Sequence, residues 1–244
     1  MTLNKKAFTI LEMGVVIICI SIFMKMTMKS VSLTNIAKEF STRLKLRKID
    51  IALENYVKIH GHLPCPSDIK LRIDDPNFGV ELSTDNGGCQ EVDGLFKYKE
   101  IYVGGVPTRA LELNHKDAID LWGNKIIYSV DDEVVDEYIN TSTNLCVVFV
   151  GANNKTSKIN NLYYALISNG KNKFGAIPSR SSENIKINDI LHHKYEVSNI
   201  FSKSEFLGGY SNCLVGISKN NKNFDDIVLF STYNSLLIKK INRN

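Results

Sequence analysis

The sequence predicts an α+β fold, in which a long N-terminal helix packs on a mostly antiparallel β-sheet head. An apolar run that opens at Phe8 predicts the start of the helix. No proline occurs before Pro64, and no glycine occurs between Gly14 and Gly61, so nothing interrupts the helix before that point. From residue 63 onward, short apolar runs alternate with turn residues, which is typical of strands. Each element can bury its apolar face only against another layer.

The first thirty residues predict a basic leader followed by a membrane segment. Residues 1–7 are short and polar and contain Lys5 and Lys6. The apolar run Phe8–Met24 then extends over 17 residues and is closed by Lys25. At about 1.5 Å per residue this run covers about 25 Å, which is short of a bilayer core of about 30 Å but within the usable range. We therefore expect a leader at 1–7 and a transmembrane helix over 8–29.

Three interpretations compete for this segment. A secretory signal peptide needs small residues after the apolar run, and the string Lys25–Lys29 does not supply them. A plain signal anchor, with Lys5 and Lys6 on the cytoplasmic side, stays open. Glu12 favours a third interpretation, because an acid inside a membrane run costs about 2.5 to 3.5 kcal/mol on insertion scales and so indicates a function.

The string from Lys5 to Glu12, KKAFTILE, resembles the processing site of type IV prepilins and type II secretion pseudopilins. The resemblance implies that a prepilin peptidase cuts between Ala7 and Phe8 and methylates the new amino group of Phe8. It also implies that Glu12 meets the N-terminal amine of a neighbouring subunit and so sets the register between subunits. Members of this family usually carry glycine before the cut, and Ala7 departs from that pattern while remaining small.

Beyond the apolar run, the spacing predicts an amphipathic continuation of the helix over 30–61. Apolar residues recur at intervals of three or four, at Ile36, Phe40, Leu44, Leu46, Ile49, Leu53 and Tyr56. We expect this stripe to carry the head, and we expect Gly61 and Pro64 to end the helix. The alternative is two helices with a break near residues 27–30.

The remaining residues, 62–244, are predicted to form one globular head. Strands are expected at Ile126–Val130, Leu145–Val150, Leu162–Ser168, Asp226–Ser231 and Leu236–Ile238, with turns at Asn169-Gly170 and Gly208-Gly209. Several strings also resemble segments of longer pilin-like proteins, among them Gly104–Pro107, Asp120–Asn124 and Phe224–Val228. In this order they extend the resemblance over most of the chain.

Four of the five cysteines fall in the head and can form disulfides in an oxidising compartment. Four cysteines allow three pairings. We favour Cys65–Cys89 and Cys146–Cys213, because each bridge closes a loop within one half of the head. Four buried free thiols remain the alternative. Cys19 lies in the apolar run and is expected to stay a free thiol.

No pattern in the sequence predicts catalysis. The five histidines lack metalloprotease spacing, and no GxSxG or Walker string occurs. No cofactor is predicted. The resemblance makes Asp225 and Asp226 the calcium candidates, because pseudopilins of one branch bind calcium. Calcium needs about six to eight oxygen ligands, and the local spacing of acidic residues in the sequence does not supply that number. The net charge of +4 is spread without a basic stripe, so no nucleic-acid partner is predicted.

The resemblance implies a structural subunit of a type IV pilus or a type II secretion pseudopilus, and the large head favours a minor component. Its partners would be other pilin or pseudopilin subunits, the prepilin peptidase, the inner-membrane assembly platform and membrane lipid. We expect a single-pass protein of the bacterial inner membrane with its head in the periplasm, and a second form incorporated into filaments. The alternative from a different class is a signal-anchored periplasmic binding or catalytic domain that does not polymerise.

Overall fold

The computed structural model describes residues 10–85, 87–136, 143–150, 156–183, 213–217 and 225–232. The chain divides into two compact units, Met1–Phe40 and Ser41–Asn244. In chain order the elements are α1 (Ile10–His60), β1 (Phe96–Tyr98), β2 (Ile101–Gly105), a 3-10 helix (His115–Ala118), β3 (Ile127–Asp131), α2 (Glu133–Asp136), β4 (Leu145–Val150), β5 (Thr156–Ser168), β6 (Cys213–Ile217) and β7 (Ile227–Thr232).

Helix α1 is 51 residues long and passes through residues 27–30 without a break. The structure therefore has one continuous helix, and the alternative of two helices with a break near residues 27–30 was wrong. Its end follows from Gly61, whose φ of +83° is left-handed and whose N–H donates to the carbonyl of Val57 at 2.8 Å. Glycine adopts this conformation without steric penalty, which makes it the usual residue after a helix.

The strands form one sheet, which is mostly antiparallel as predicted. Its order is β1-β2-β3-β5-β4-β6, and β7 pairs with β5. The exception is the parallel pairing of β4 with β6, in which Cys146 lies opposite Cys213. The long strand β5 connects the two parts of the sheet, because it pairs with β3, β4 and β7. The α+β fold class is therefore confirmed.

Alternate residues of the strands enter two separate cores, one on each face of the sheet. Tyr128 and Tyr164 belong to the core that also contains Leu46, Ile49 and Leu53 of α1. The other core contains alternate strand residues, including Ile101, Val103, Ile127, Ala165 and Ile167. Because successive side chains of a strand point to opposite faces, this division places the Ser41–His60 part of α1 on one face of the sheet.

Strand prediction succeeded where apolar runs are strong. Strand β4 has the predicted bounds, and β3 and β7 each begin one residue later than expected. Strand β5 begins at Thr156 rather than Leu162, because its first part is polar and exposed and so carries no apolar signal. Strands β1, β2 and β6 were not predicted. The predicted strand Leu236–Ile238 and the turn Gly208-Gly209 lie outside the described residues.

The paired glycines of β2 allow a second chain segment to approach the strand. Backbone groups of Gly105 and Ser67 exchange hydrogen bonds of 2.7 and 2.9 Å. A Cβ atom added at Gly104 would lie 2.7 Å from the carbonyl oxygen of Ser67, which is closer than real Cβ contacts allow. The segment that follows α1 is thus hydrogen-bonded to β2 at these glycines.

Candidate functional site

The residues of the predicted processing site lie at the very start of the chain. Ala7 and Phe8 fall outside the described residues. Glu12 is described, and it lies in the first turn of α1. Negative charge is favourable in the first turn of a helix, because the backbone N–H groups there point outward without helical partners.

The helix around Glu12 exposes a large apolar surface in its own unit. Eleven large apolar side chains between Ile10 and Met24 are exposed, each by 46% or more: Ile10, Leu11, Met13, Val15, Val16, Ile17, Ile18, Ile20, Ile22, Phe23 and Met24. They occupy every side of the helix rather than one stripe. A helix that is apolar all round is normally buried in a protein core or in a membrane.

The structure does not show the transmembrane part of the prediction. Among the described residues, no helix combines the length and the apolar character that crossing a membrane requires. Phe8 and Thr9, the first two residues of the predicted span, lie outside the described part.

The apolar stripe that carries the head differs from the predicted one. Leu46, Ile49 and Leu53 are fully buried, as expected. Leu44, in the same unit, is 55% exposed. In the other unit, Ile36 and Phe40 are each 62% exposed. Leu44 was therefore wrongly assigned to the face of the helix that carries the head.

Two acidic side chains of α1 are buried against the head, which the sequence analysis missed. Asp50 is 3% exposed and Glu54 is 7% exposed. The hydroxyl of Tyr164 in β5 donates to Asp50 Oδ1 at 2.6 Å, and Arg47 pairs with Asp50 Oδ2. Burial, with the nearby charge of Asp50, raises the pKa of Tyr164 well above its usual value. A buried carboxylate needs such partners, so this pair fixes where the helix lies on the sheet.

A second set of contacts joins the helix to the turn before β3. The Lys45 ammonium donates to the carbonyls of Lys116 and Ile119 at 2.8 and 2.7 Å. Lys48 pairs with Asp117 at 2.6 Å. Burial lowers the pKa of Lys45 from its usual value. Lys45 thus satisfies backbone carbonyls of the 3-10 helix and of the residue that follows it, and both lysines hold this turn to α1.

The two disulfides of the structure are the two pairs that were predicted because each closes a loop within one half of the head. Cys65 is bonded to Cys89 over a sequence separation of 24, and Cys146 is bonded to Cys213 over a separation of 67. The second bridge crosses directly between the parallel strands β4 and β6. Cys19 is a free, exposed thiol.

The calcium candidates Asp225 and Asp226 lie at the start of β7. Asp225 Oδ2 accepts a hydrogen bond from the N–H of Asn172 at 2.7 Å, and burial raises the pKa of the Asp225 carboxyl. Asp226 is 8% exposed. In the described part of the chain, no group of three or more histidine, cysteine or acidic residues is arranged to hold a metal ion.

Two buried carboxylates organise turns of the head. Asp120 accepts from the N–H groups of Trp122 and Asn124 at 2.9 and 2.8 Å, and from the Ser168 hydroxyl at 2.8 Å. Asp131 accepts from the N–H groups of Asn144 and Leu145 at 2.6 and 3.2 Å. Burial raises the pKa of Asp120, and it raises the pKa of Asp131 to about 6.

The sequence analysis also missed Lys125, which is 2% exposed. Its ammonium donates to the carbonyls of Ile69 and Ser181 at 2.8 and 2.7 Å, and burial lowers its pKa to about 8. These bonds join two loops to the start of β3, which is a structural role. Lys125 directly follows the Asp120–Asn124 turn in the sequence, and nothing in that sequence context predicts that its side chain is buried.

Comparisons with protein-family models, with curated proteins and with solved structures find no match to this chain.

Proposed function

We propose that this chain is a pilin-like structural subunit, which a prepilin peptidase cuts between Ala7 and Phe8 and which assembles into a type IV pilus or a type II secretion pseudopilus. The proposal assigns no catalytic role to the chain. Its support is the motif from Lys5 to Glu12 and the surface of the helix that follows the motif.

The observation that carries the proposal is the exposed apolar surface of α1 between Ile10 and Met24. Surfaces of this size on a soluble protein mark contacts with other proteins or with membrane. Lipid covers this surface before assembly in our proposal, and the equivalent helices of neighbouring subunits cover it afterwards. Insertion of residues 8–29 as a single transmembrane pass, with the head in the periplasm, is part of the same proposal.

The position of Glu12 within this surface supports polymerisation over simple anchoring. A plain anchor gains nothing from an acid in its apolar run, since that acid opposes insertion. A filament gains register from it, because only one axial offset brings the carboxylate to the neighbour's new amino terminus. A buried polar pair that selects one register is an established use of such residues.

Co-expression with a prepilin peptidase tests the proposal. We expect the full chain to lose its first seven residues, and mass spectrometry should find an N-terminal methyl-phenylalanine derived from Phe8. An Ala7→Gly variant should be cut at least as well as the wild type, and an Ala7→Leu variant should be cut poorly, because the motif requires a small residue before the cut. An intact Met1 in the membrane-inserted, functioning protein would instead favour the signal-anchored domain that does not polymerise.

A further inference from the structure

We propose that the outward face of α1 between Arg43 and Ile59 docks onto the acidic loop Cys65–Asp93 of a second copy of this chain. The inference rests on the proposed function, because it names a contact between neighbouring subunits of the filament. It concerns the head unit alone and is independent of the contacts of Glu12.

The outward face of α1 is basic and apolar, which the sequence does not reveal. Between Arg43 and Ile59 the exposed side chains are Arg43, Leu44, Arg47, Lys48, Ile51, Asn55, Lys58 and Ile59. Four of them are cationic, three are aliphatic, and none is acidic. Both acids of this stretch, Asp50 and Glu54, are buried on the opposite side against the sheet.

Ion pairs within the chain leave the positive charge at the surface. The side chain of Arg47 is 51% exposed, while that of its partner Asp50 is 4% exposed. The side chain of Lys48 is 56% exposed, while that of its partner Asp117 is 15% exposed. An approaching molecule therefore meets the cations first. Aliphatic side chains lie between these cations, and Leu44, Ile51 and Ile59 are 55%, 47% and 78% exposed.

The complementary surface is the segment Cys65–Asp93, most of which the first disulfide, Cys65–Cys89, closes into a loop. The segment Cys65–Asp93 contains seven acidic residues and two basic ones. Both basic residues are paired within the segment, Lys70 with Asp93 at 2.7 Å and Arg72 with Asp74 at 3.1 Å. Asp85 and Glu91 are exposed beside Cys89, and the disulfide to Cys65 holds this part of the loop against the head.

The loop cannot cover the outward face within one molecule. Leu46, Ile49 and Leu53 fix the buried side of the helix, and the loop meets α1 through the Tyr56 hydroxyl and Glu81, at 3.4 Å, near the helix end. We therefore assign the complementary charge to the loop of another copy, whose acidic side chains Asp85 and Glu91 are exposed. A face with aliphatic residues between its cations fits a protein surface better than a nucleic acid, whose phosphates are bound chiefly by charged and polar groups.

Charge reversal in the full chain, assembled with its prepilin peptidase and assembly platform, tests this contact. We expect the helix variant Arg43→Glu/Lys58→Glu to reduce the incorporation of the chain into sheared filaments by about tenfold or more, because like charges opposed across an interface are strongly unfavourable. The loop variant Asp85→Lys/Glu91→Lys should show a similar loss. When the two variants are co-expressed, each should regain incorporation, since the helix of one matches the loop of the other.

The matched control is Lys99→Glu/Lys158→Glu, which makes the same change of net charge at two exposed lysines away from the outward face. This control should incorporate as the wild type does. Zero-length carbodiimide coupling of filaments made from light and heavy-isotope copies should also join Lys58 of one copy to Asp85 or Glu91 of another.

Three results would overturn the contact: wild-type incorporation of the helix variant, failure of the co-expressed variants to rescue each other, or a salt-sensitive complex of the wild type with duplex DNA that the helix variant loses. Failure of the proposed function itself is separate, because it appears in the wild-type chain as absent cleavage or absent filaments before any variant is compared.

Discussion

Two stretches of the same helix differ in what covers them. Between Ile10 and Met24 the side chains of α1 are apolar on every side and exposed. Between Ser41 and His60 one face is fully buried against the sheet, and the opposite face carries cations. The comparison shows that the head buries one face of its own part of the helix, while the first stretch is exposed in the part of the chain that the structure describes. That division matches the proposed subunit, which has a head and a shared helical segment.

The largest expected effect concerns the uncovered stretch. Glu12→Ala removes the acid from the apolar run, so membrane insertion should be retained or improved, by about 2.5 to 3.5 kcal/mol on insertion scales. Incorporation into filaments should be abolished or disordered, because the register contact is lost. Membrane fractionation and immunoblots of sheared filaments measure the two properties separately.

Cys19→Ala is the control for this substitution, since Cys19 is an exposed free thiol of the same stretch. It should leave both insertion and incorporation unchanged. Normal filaments made from the Glu12→Ala chain would remove the register role of this acid.

The covered stretch depends on the head, and the disulfides should contribute most to the stability of the head. In the chain-entropy description, a bridge over the separation of 67 residues is worth about 4 kcal/mol, and one over 24 residues about 3 kcal/mol. Cys146→Ser/Cys213→Ser should therefore lower the free energy of unfolding more than Cys65→Ser/Cys89→Ser. Urea unfolding of the detergent-solubilised full chain measures the difference, and the reverse order would contradict the loop-length explanation.

Two leucines of the covered stretch separate its buried face from its outward face. Leu46→Ala leaves a cavity in the core and should lower the free energy of unfolding by about 2 to 5 kcal/mol. Leu44→Ala, only two residues away, should change it by less than about 0.5 kcal/mol, because that side chain is 55% exposed. Equal effects in thermal or urea unfolding would show that the helix is rotated from the position described.

The smallest expected effect is a pH dependence of the head. Because burial raises the pKa of Asp131 to about 6, the folded head takes up a proton as the pH falls from 7 toward 5, while unfolded aspartate, with a pKa of about 3.9, stays mostly ionised. The free energy of unfolding should thus rise through this range, by about 1.4 kcal/mol from this group for each pH unit below the folded-state pKa.

Asp131→Asn removes this proton uptake and should flatten that part of the pH profile. Asp120 and Asp225 have raised pKa values too, so the difference between wild type and variant is the quantity to measure. A variant with an unchanged slope would assign the pH dependence to those other carboxyls.

The fold class and both disulfide pairs could be predicted because they depend on local patterns. An apolar repeat of three to four residues predicts a helix, short apolar runs predict strands, and the favoured cysteine pairing is the one that keeps each bridge within one half of the head. The end of α1 was predicted for the same reason, since Gly61 supplies a left-handed residue.

The faces of α1 could not be predicted, because they depend on distant partners. Leu44 belongs to the predicted apolar repeat as Leu46, Ile49 and Leu53 do, and only the packing against the sheet decides that Leu44 is exposed while the others are buried. The burial of Asp50 likewise depends on Tyr164, which lies 114 residues away. The exposed start of β5 was missed because polar strands carry no periodic signal.

The way α1 joins the head determines how the head would respond to a pulling force. Its contacts with the head lie side by side along the helix. They are the packing of Leu46, Ile49 and Leu53 against the sheet, the hydrogen bond between Asp50 and Tyr164, and the hydrogen bonds of Lys45 to the turn before β3. A tension along the helix axis would load these contacts in shear, all at once, rather than opening them one after another. A head attached in this way should resist detachment when it is pulled along the axis of the helix.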